Sequence, residues 1–168
     1  GLRLDWERRQ SGPRSEEVWR ELSREIITRV ERWLDQGMGS CVLRNGQASE
    51  TVVEAVHRLD RDRYELGCYV VMPNHVHAIL RPLTPESQPL EKILQSWKAY
   101  TARQINVTMN LTGAFWQEES FDRIIRDEEH LWRVIQYIGA NPARAGLSRQ
   151  VCPTWIKPAW VQLGWRFD

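Results

Sequence analysis

The sequence predicts an α+β domain, and three observations carry that reading. Apolar residues recur at helical spacing in four stretches, while one pair of strand-like runs, over residues 64–81, alternates around a turn. The chain has 168 residues, a length that suggests one domain able to bury about two thirds of its unfolded surface. Its composition, 42% hydrophobic with 10% aromatic residues, excludes wholesale disorder.

Ser11-Gly-Pro13 breaks structure. Ser15 can then cap a helix with Val18, Leu22, Ile26, Val30 and Trp33 on one face, ended by Gly37. Cys41-Val-Leu43 with Arg44-Asn-Gly46 reads as a brief extended piece and a turn. Ser49 is the expected cap of a second helix carrying Val52, Val53, Val56 and Leu59, with His57 on it as a surface or core histidine. Residues 64–71 and 75–81 form an antiparallel hairpin around Met72-Pro-Asn74. A third helix is expected over 90–105, with Leu90, Ile93, Leu94 and Trp97 inward and Lys92, Lys98 and Arg103 outward. After a loop from Met109 to Gly113, Phe121-Asp-Arg-Ile-Ile125 is extended. Asp127 caps a last helix that reaches Ala140 and is stopped by Asn141-Pro142. The tail, with Trp155, Trp160 and Trp165 among prolines, reads as an irregular aromatic segment packed on the domain.

Two features carry chemistry. In an extended segment successive side chains alternate faces, so His75 and His77 point one way and Val76 the other, into the core. Such a pair can hold a divalent metal on rigid sheet, although two histidines on a half-exposed strand are the commoner occurrence. On the last helix Leu131, Val134, Ile135 and Ile138 form the core stripe. Tyr137 and Asn141 lie one turn apart along its edge, in line with His130 and Arg133. A phenol and an amide therefore face one place, which an interfacial tyrosine with its hydroxyl in water would also explain. Tyr100 is closer to the apolar stripe of its own helix and reads as core.

Composition excludes several classes. The apolar runs fall short of a membrane span and nothing resembles a secretion signal, so a soluble intracellular protein is expected. Cys41, Cys68 and Cys152 lack disulfide or zinc-knot spacing and read as buried or idle thiols. Net charge is only +1, so any nucleic acid must be held by local basic clusters. Most of the nine tryptophans should be packing anchors, although exposed ones could stack on bases.

Taken together, Met72-Pro-Asn-His-Val-His77, Ser96-Trp-Lys98, Thr101-Ala-Arg-Gln-Ile-Asn106, Phe115-Trp116, Phe121-Asp-Arg-Ile-Ile-Arg-Asp127, Tyr137-Ile-Gly-Ala-Asn-Pro142 and Ala145-Gly-Leu147 closely resemble the REP-associated tyrosine transposases, single-tyrosine members of the HUH group. The resemblance runs from roughly Arg29 to Leu147. It implies a ferredoxin- or RRM-like fold, a small antiparallel sheet with helices on one face, the metal site on the sheet and the tyrosine helix laid across it. It matches His75 and His77 to the metal-binding histidines, Tyr137 to the nucleophile and Asn141 to the polar residue that completes the metal site. It also implies a bacterial cytoplasmic, nucleoid-associated protein acting on single-stranded or hairpin DNA, with a homodimer left open. Residues 1–150 would form the catalytic domain, including a helical part at about 11–37, and 151–168 a Trp-rich tail. The resemblance further implies an edge strand and a helix ahead of Arg29. This chain opens at Gly1 with no strand-like run before Ser11, so a truncated or processed chain whose sheet lacks that strand is expected.

The chemistry stands beside the resemblance. A phenol, with a pKa near about 10, is a poor nucleophile at neutral pH, so attack on a phosphodiester needs a metal that stabilises the transition-state charge. The product is a 5′-phosphotyrosine with a free 3′-hydroxyl, and rejoining needs no ATP. Two imidazoles and an amide oxygen suit Mn²⁺ better than Mg²⁺, and the resemblance implies either. Lys98, Arg103, Arg123, Arg126 and Arg144 are the candidate phosphate contacts, although Arg123 and Arg126 could equally pair with Asp122, Glu128 or Glu129. Two other readings stay open: a hairpin-binding protein that keeps the fold without the chemistry, and a structural metal protein with no DNA affinity.

Overall fold

A computed structural model describes Leu34 and residues 39–167. The helix expected over 15–37 lies outside the described residues. After a short 3-10 turn, Val42–Arg44, comes helix α1, Gly46–Arg58. It starts where Asn45 Oδ1 accepts from the amides of Gln47 and Ala48 at 3.0 and 3.3 Å. The cap is thus Asn45. Ser49, expected in that role, lies inside the first turn and donates from its hydroxyl to the Gly46 carbonyl at 2.9 Å. Asn45-Gly46 has the composition of a hairpin turn, and only the helix that follows turns it into a start signal.

Strands β1, Tyr64–Val71, and β2, Val76–Pro82, form the expected antiparallel hairpin, closed by the Met72 amide donating to the His75 carbonyl at 2.8 Å. The register slips between Leu66 and Cys68, where Gly67 is the extra residue of a bulge. That slip reverses which face successive residues meet. Tyr64, Leu66, Tyr69 and Val71 join one apolar cluster, and Cys68, Val70 and Met72 join another. A strand buried on both faces must be covered on both, and it is.

On the first face lie α1 and α2, Leu90–Met109, with Leu43, Val52, Val56, Ile93 and Ile105 in the core. Tyr64 Oη there donates to the Val56 carbonyl at 2.6 Å and accepts from Trp97 Nε1 at 3.0 Å. Helix α2 outlasts the expected end near residue 105, because its stop is Asn110 in the left-handed region (φ 52°, ψ 43°). The chain then runs without regular structure to Asp127, pinned to α2 by Trp116 Nε1 donating to Thr101 Oγ1 at 2.8 Å. Lys98 Nζ donates to the carbonyls of Gln117, Glu118 and Glu119 at 2.8, 3.1 and 3.0 Å. Residues 121–125, expected to be extended, have no strand partner among the described residues.

Helix α3, Glu128–Arg144, covers the second face with Ile135 and Ile138 against Cys68, Val70 and Met72. Asp127 caps it as expected, its Oδ1 accepting from the His130 amide at 2.7 Å. Its end differs from expectation, since Asn141 and Pro142 are both helical. A proline this near the end forfeits one hydrogen bond. The stop is Gly146 at φ 68°, whose amide donates to the Ala143 carbonyl at 3.0 Å while Leu147 donates to Pro142 at 2.8 Å.

The tail is more ordered than expected. Strand β3, Thr154–Ile156, pairs antiparallel with β1 to give the sheet order β2-β1-β3, and a short helix, α4, Pro158–Gln162, follows. Three residues between prolines carry no strand signal of their own. The pairing comes from β1, where the Val71 amide donates to Pro153 and Gly67 accepts from Lys157, both at 2.8 Å. Trp155 stacks on its cross-strand neighbour Tyr69, with centroids 6.0 Å apart and planes at 16°. Trp160 lies against Gly67 and Phe167 against Gly139, each so close that an added Cβ would meet the ring at 2.2 and 2.6 Å respectively. Among the described residues no helix is long and apolar enough to cross a membrane.

These glycine notches give a prediction with a sign reversal. Gly139→Ala in the parent should lower stability by about 1 kcal/mol, since the new methyl would lie 2.8 Å from Phe167 Cβ and must push that residue off α3. In a Phe167→Gly background, where neither the ring nor its Cβ remains, the same change should raise stability by roughly 0.5–1 kcal/mol, the ordinary helix preference for alanine. Urea denaturation of the four proteins measures both; the same sign in both backgrounds would refute the docking.

Candidate active site

The first two site residues come from the hairpin. His75 closes the turn, and His77 sits in β2 opposite Val70, on the face covered by α3. Val76 between them packs into the cluster under α1 and α2. The alternation expected from sequence thus holds, and the two rings meet edge to face, with Nε2 to Nε2 at 3.1 Å and centroids 4.7 Å apart. His75 is only 7% exposed. Its Nδ1 lies 2.7 Å from Asn74 Oδ1, and Asn74 Nδ2 donates to the Leu34 carbonyl at 2.9 Å.

Helix α3 supplies the rest. Tyr137 stands edge-on to His77, with centroids 5.4 Å apart at 82°, and its Oη is buried. One turn on, Asn141 is wholly buried and donates from Nδ2 to the Tyr137 carbonyl at 2.8 Å. Its Oδ1, buried without a well-formed hydrogen bond among the described residues, lies beside His77 and favours the protonated ring. Arg144 lies over the Tyr137 ring, its Cζ 4.9 Å from the centroid.

Burial makes both histidines poor bases. It pushes His75 down to about 4, and it pushes His77 further, to about 3, where the positive charges of His75 and Arg144 add to the effect and Asn141 opposes it. Both rings are therefore neutral at neutral pH, with lone pairs to offer. Two nitrogens bound to one cation at about 2.0–2.1 Å, with about 90–110° between the bonds, lie about 2.9–3.4 Å apart. The observed 3.1 Å fits that spacing. Among the described residues no group of three His, Cys, Asp or Glu is gathered anywhere. The third donor at hand is the Asn141 amide oxygen, so the donor set fits a divalent metal with nitrogen and oxygen preferences.

The fold thus brings together His75, His77, Tyr137 and Asn141, as read from sequence. Of the five basic candidates, Arg144 contacts this group. Lys98 is engaged with the 117–119 carbonyls, and its partial burial lowers its pKa against the opposing charge of Glu119, while Arg103 is exposed on α2 beyond the opposite face of the sheet. Arg123 and Arg126 are exposed in the irregular stretch and form no ion pair among the described residues. Tyr100 lies under Arg58, whose Cζ is 5.4 Å from its ring, on the α1 and α2 side. His57 is there too, its Nε2 3.2 Å from Tyr69 Oη and its ring against Trp155. Sequence reasoning missed Asn74; its place just before His75 in a tight turn was the available signal.

The model of the IS200-like transposase family matches residues 42–141, a span that runs from the 3-10 turn through the hairpin and α2 and ends on Asn141. No curated protein and no solved structure matches the chain.

The depressed histidines set a pH dependence for the metal-free protein. Their folded pKa values, about 4 and about 3, lie below the unfolded value of about 6.5, so stability is full above that value and lost as pH falls toward them. At pH 5 in a chelator the parent should have lost about 2 kcal/mol per histidine relative to pH 7.5. The His75→Gln, His77→Gln double variant should lack that loss. Denaturant titrations at the two pH values measure it, and equal losses in both proteins would show the rings to be solvated.

Proposed function

The chain belongs to the IS200-like transposase family, and from that premise we propose that it cleaves and rejoins single-stranded DNA at hairpin-forming repeats of the REP-associated type, through a covalent bond to Tyr137. Membership makes it a DNA-processing enzyme with DNA as partner. The finer reading rests on one observation, the convergence of His75, His77, Tyr137 and Asn141 at the joint between β2 and α3.

In this reading Tyr137 Oη forms a new bond to phosphorus as the bond to the 3′ oxygen breaks. The phenolic proton passes to solvent and the 3′ oxygen gains one, leaving a 5′-phosphotyrosine and a 3′-hydroxyl. One ester replaces another, so the step is nearly neutral in energy and reversal rejoins a strand. His75, His77 and Asn141 would hold Mg²⁺ or Mn²⁺, which when bound would polarise the phosphate and stabilise the added negative charge. Arg144, beside Tyr137, is the cation best placed to meet the same phosphate. Because Tyr137 Oη is buried, a phosphate reaches it only once the ring or the guanidinium above it shifts. That burial favours a second reading, a hairpin-binding protein without chemistry.

Two measurements separate these readings. Tyr137→Phe removes one oxygen and should abolish a covalent adduct with a labelled single-stranded hairpin in Mn²⁺ while leaving hairpin affinity nearly unchanged. Tyr100→Phe should leave the adduct in place. An adduct that survives in the Tyr137 variant would overturn the nucleophile assignment, and none from the parent under either metal would favour the inert binder. For affinity, Arg144→Gln should lower the slope of log K against log salt by about 1, the loss of one phosphate contact. Lys98→Gln should leave that slope unchanged, because its ammonium is held by carbonyls. Anisotropy titrations across a salt series read both, and a larger effect at Lys98 would reverse the assignment.

A further inference from the structure

We propose that Asn74 is the residue that fixes the tautomer of His75, holding its proton on Nδ1 so that the Nε2 lone pair faces His77. The role in metal binding rests on the site reading above, whereas the tautomer rests on hydrogen bonds alone. A neutral imidazole has one N–H and one lone pair, and which nitrogen carries which is decided by the partners of the ring. A carbonyl oxygen only accepts. The Asn74 amide therefore turns Nδ2 to the Leu34 carbonyl at 2.9 Å, since the flipped amide would bring two oxygens together there. Oδ1 is then the atom 2.7 Å from His75 Nδ1, and because Oδ1 also only accepts, Nδ1 must bear the hydrogen.

The consequence passes to the second ring. With Nε2 of His75 a bare lone pair, the 3.1 Å approach of His77 Nε2 is a hydrogen bond only if His77 donates from Nε2 in the metal-free protein. A cation taken up between the rings would find His75 already in its binding form and would require only that the His77 proton pass from Nε2 to Nδ1, by way of solvent. An imidazole with no partner favours Nε2–H, the form that cannot ligate from Nε2, so Asn74 holds His75 in its less favoured state. The hairpin makes this firm, since the turn that places Asn74 is closed by the Met72 amide on the His75 carbonyl at 2.8 Å.

The test reads tautomer and metal separately. Long-range proton–nitrogen NMR of the ¹⁵N-labelled full chain, metal-free at neutral pH, should show Nδ1–H for His75 and Nε2–H for His77. Asn74→Leu should move His75 toward Nε2–H and weaken Mn²⁺ binding by about 10–100-fold in calorimetry, the usual effect of losing the group behind a ligating histidine. Asn74→Asp keeps an acceptor oxygen and should keep both the tautomer and Mn²⁺ affinity within a few-fold, even if losing the Leu34 bond lowers its stability. That rescue distinguishes an acceptor from a mere filler of the turn. Nε2–H on His75 in the parent, a tautomer unmoved in the Leu variant, or Asp no better than Leu would each overturn the proposal. If the tautomer shifts as stated but the parent binds no Mn²⁺, the role of Asn74 in metal binding falls together with the metal reading, and the hydrogen-bond assignment stands.

Discussion

The face parity of the central hairpin is the constraint on which the rest of the structure depends. An eight-residue strand with side chains alternating strictly would carry its apolar set to one face at one end and hold it there. The extra residue at Gly67 changes the parity partway, so the outer half of β1 packs Tyr64 and Leu66 under α1 and α2, and the inner half offers Cys68 and Val70 to α3. Because β2 follows in register, His77 falls opposite Val70 on the α3 side, and Val76, Ala78 and Leu80 fall on the other. A slip of one residue would drive the histidine ring into an apolar cluster and present a valine to Tyr137. The bulge also leaves Gly67 bare, which is the space that Trp160 occupies.

Much of this is visible in the sequence where one local signal dominates. The alternation that aims His75 and His77 together, the Asp127 cap and the stripe of Ile135 and Ile138 were all set by residues within a turn or two of each other. The errors arise where the deciding atom is further along or further away. Pro142 looks like a stop because a proline cannot donate, yet so late in a helix the missing bond costs little, and Gly146 is the residue that can take the left-handed turn. Lys98 looks like a free cation because three carbonyls around it belong to a loop about twenty residues later. Strand β3 is invisible because its ladder comes from β1, not from its own residue types.

Electrostatics at the site follow from this packing. Both imidazoles are held where water is scarce, close to one another and to a guanidinium, which keeps protons off them more strongly than metal-binding histidines on an open surface would manage. A site with two neutral nitrogens, a buried amide oxygen and a nearby arginine disfavours added positive charge as a proton on a ring. It suits a cation bonded to several donors at once, with a phosphate to balance it.

The position of Tyr137, the proposed nucleophile, is set by parts of the chain that have no chemistry of their own. Tyr137 stands two residues before Gly139, against which Phe167 packs and to whose carbonyl Arg149 donates at 3.3 Å. Gln136, beside Tyr137, donates to the Arg166 carbonyl at 2.8 Å. The tail therefore grips α3 on the turn that carries the tyrosine and grips β1 at Gly67, the strand whose ladder holds β2 and with it His77. Since a misplacement of about 1 Å can cost on the order of 100-fold in rate, the proposed reaction would depend on this segment as closely as on the residues placed to meet metal and phosphate.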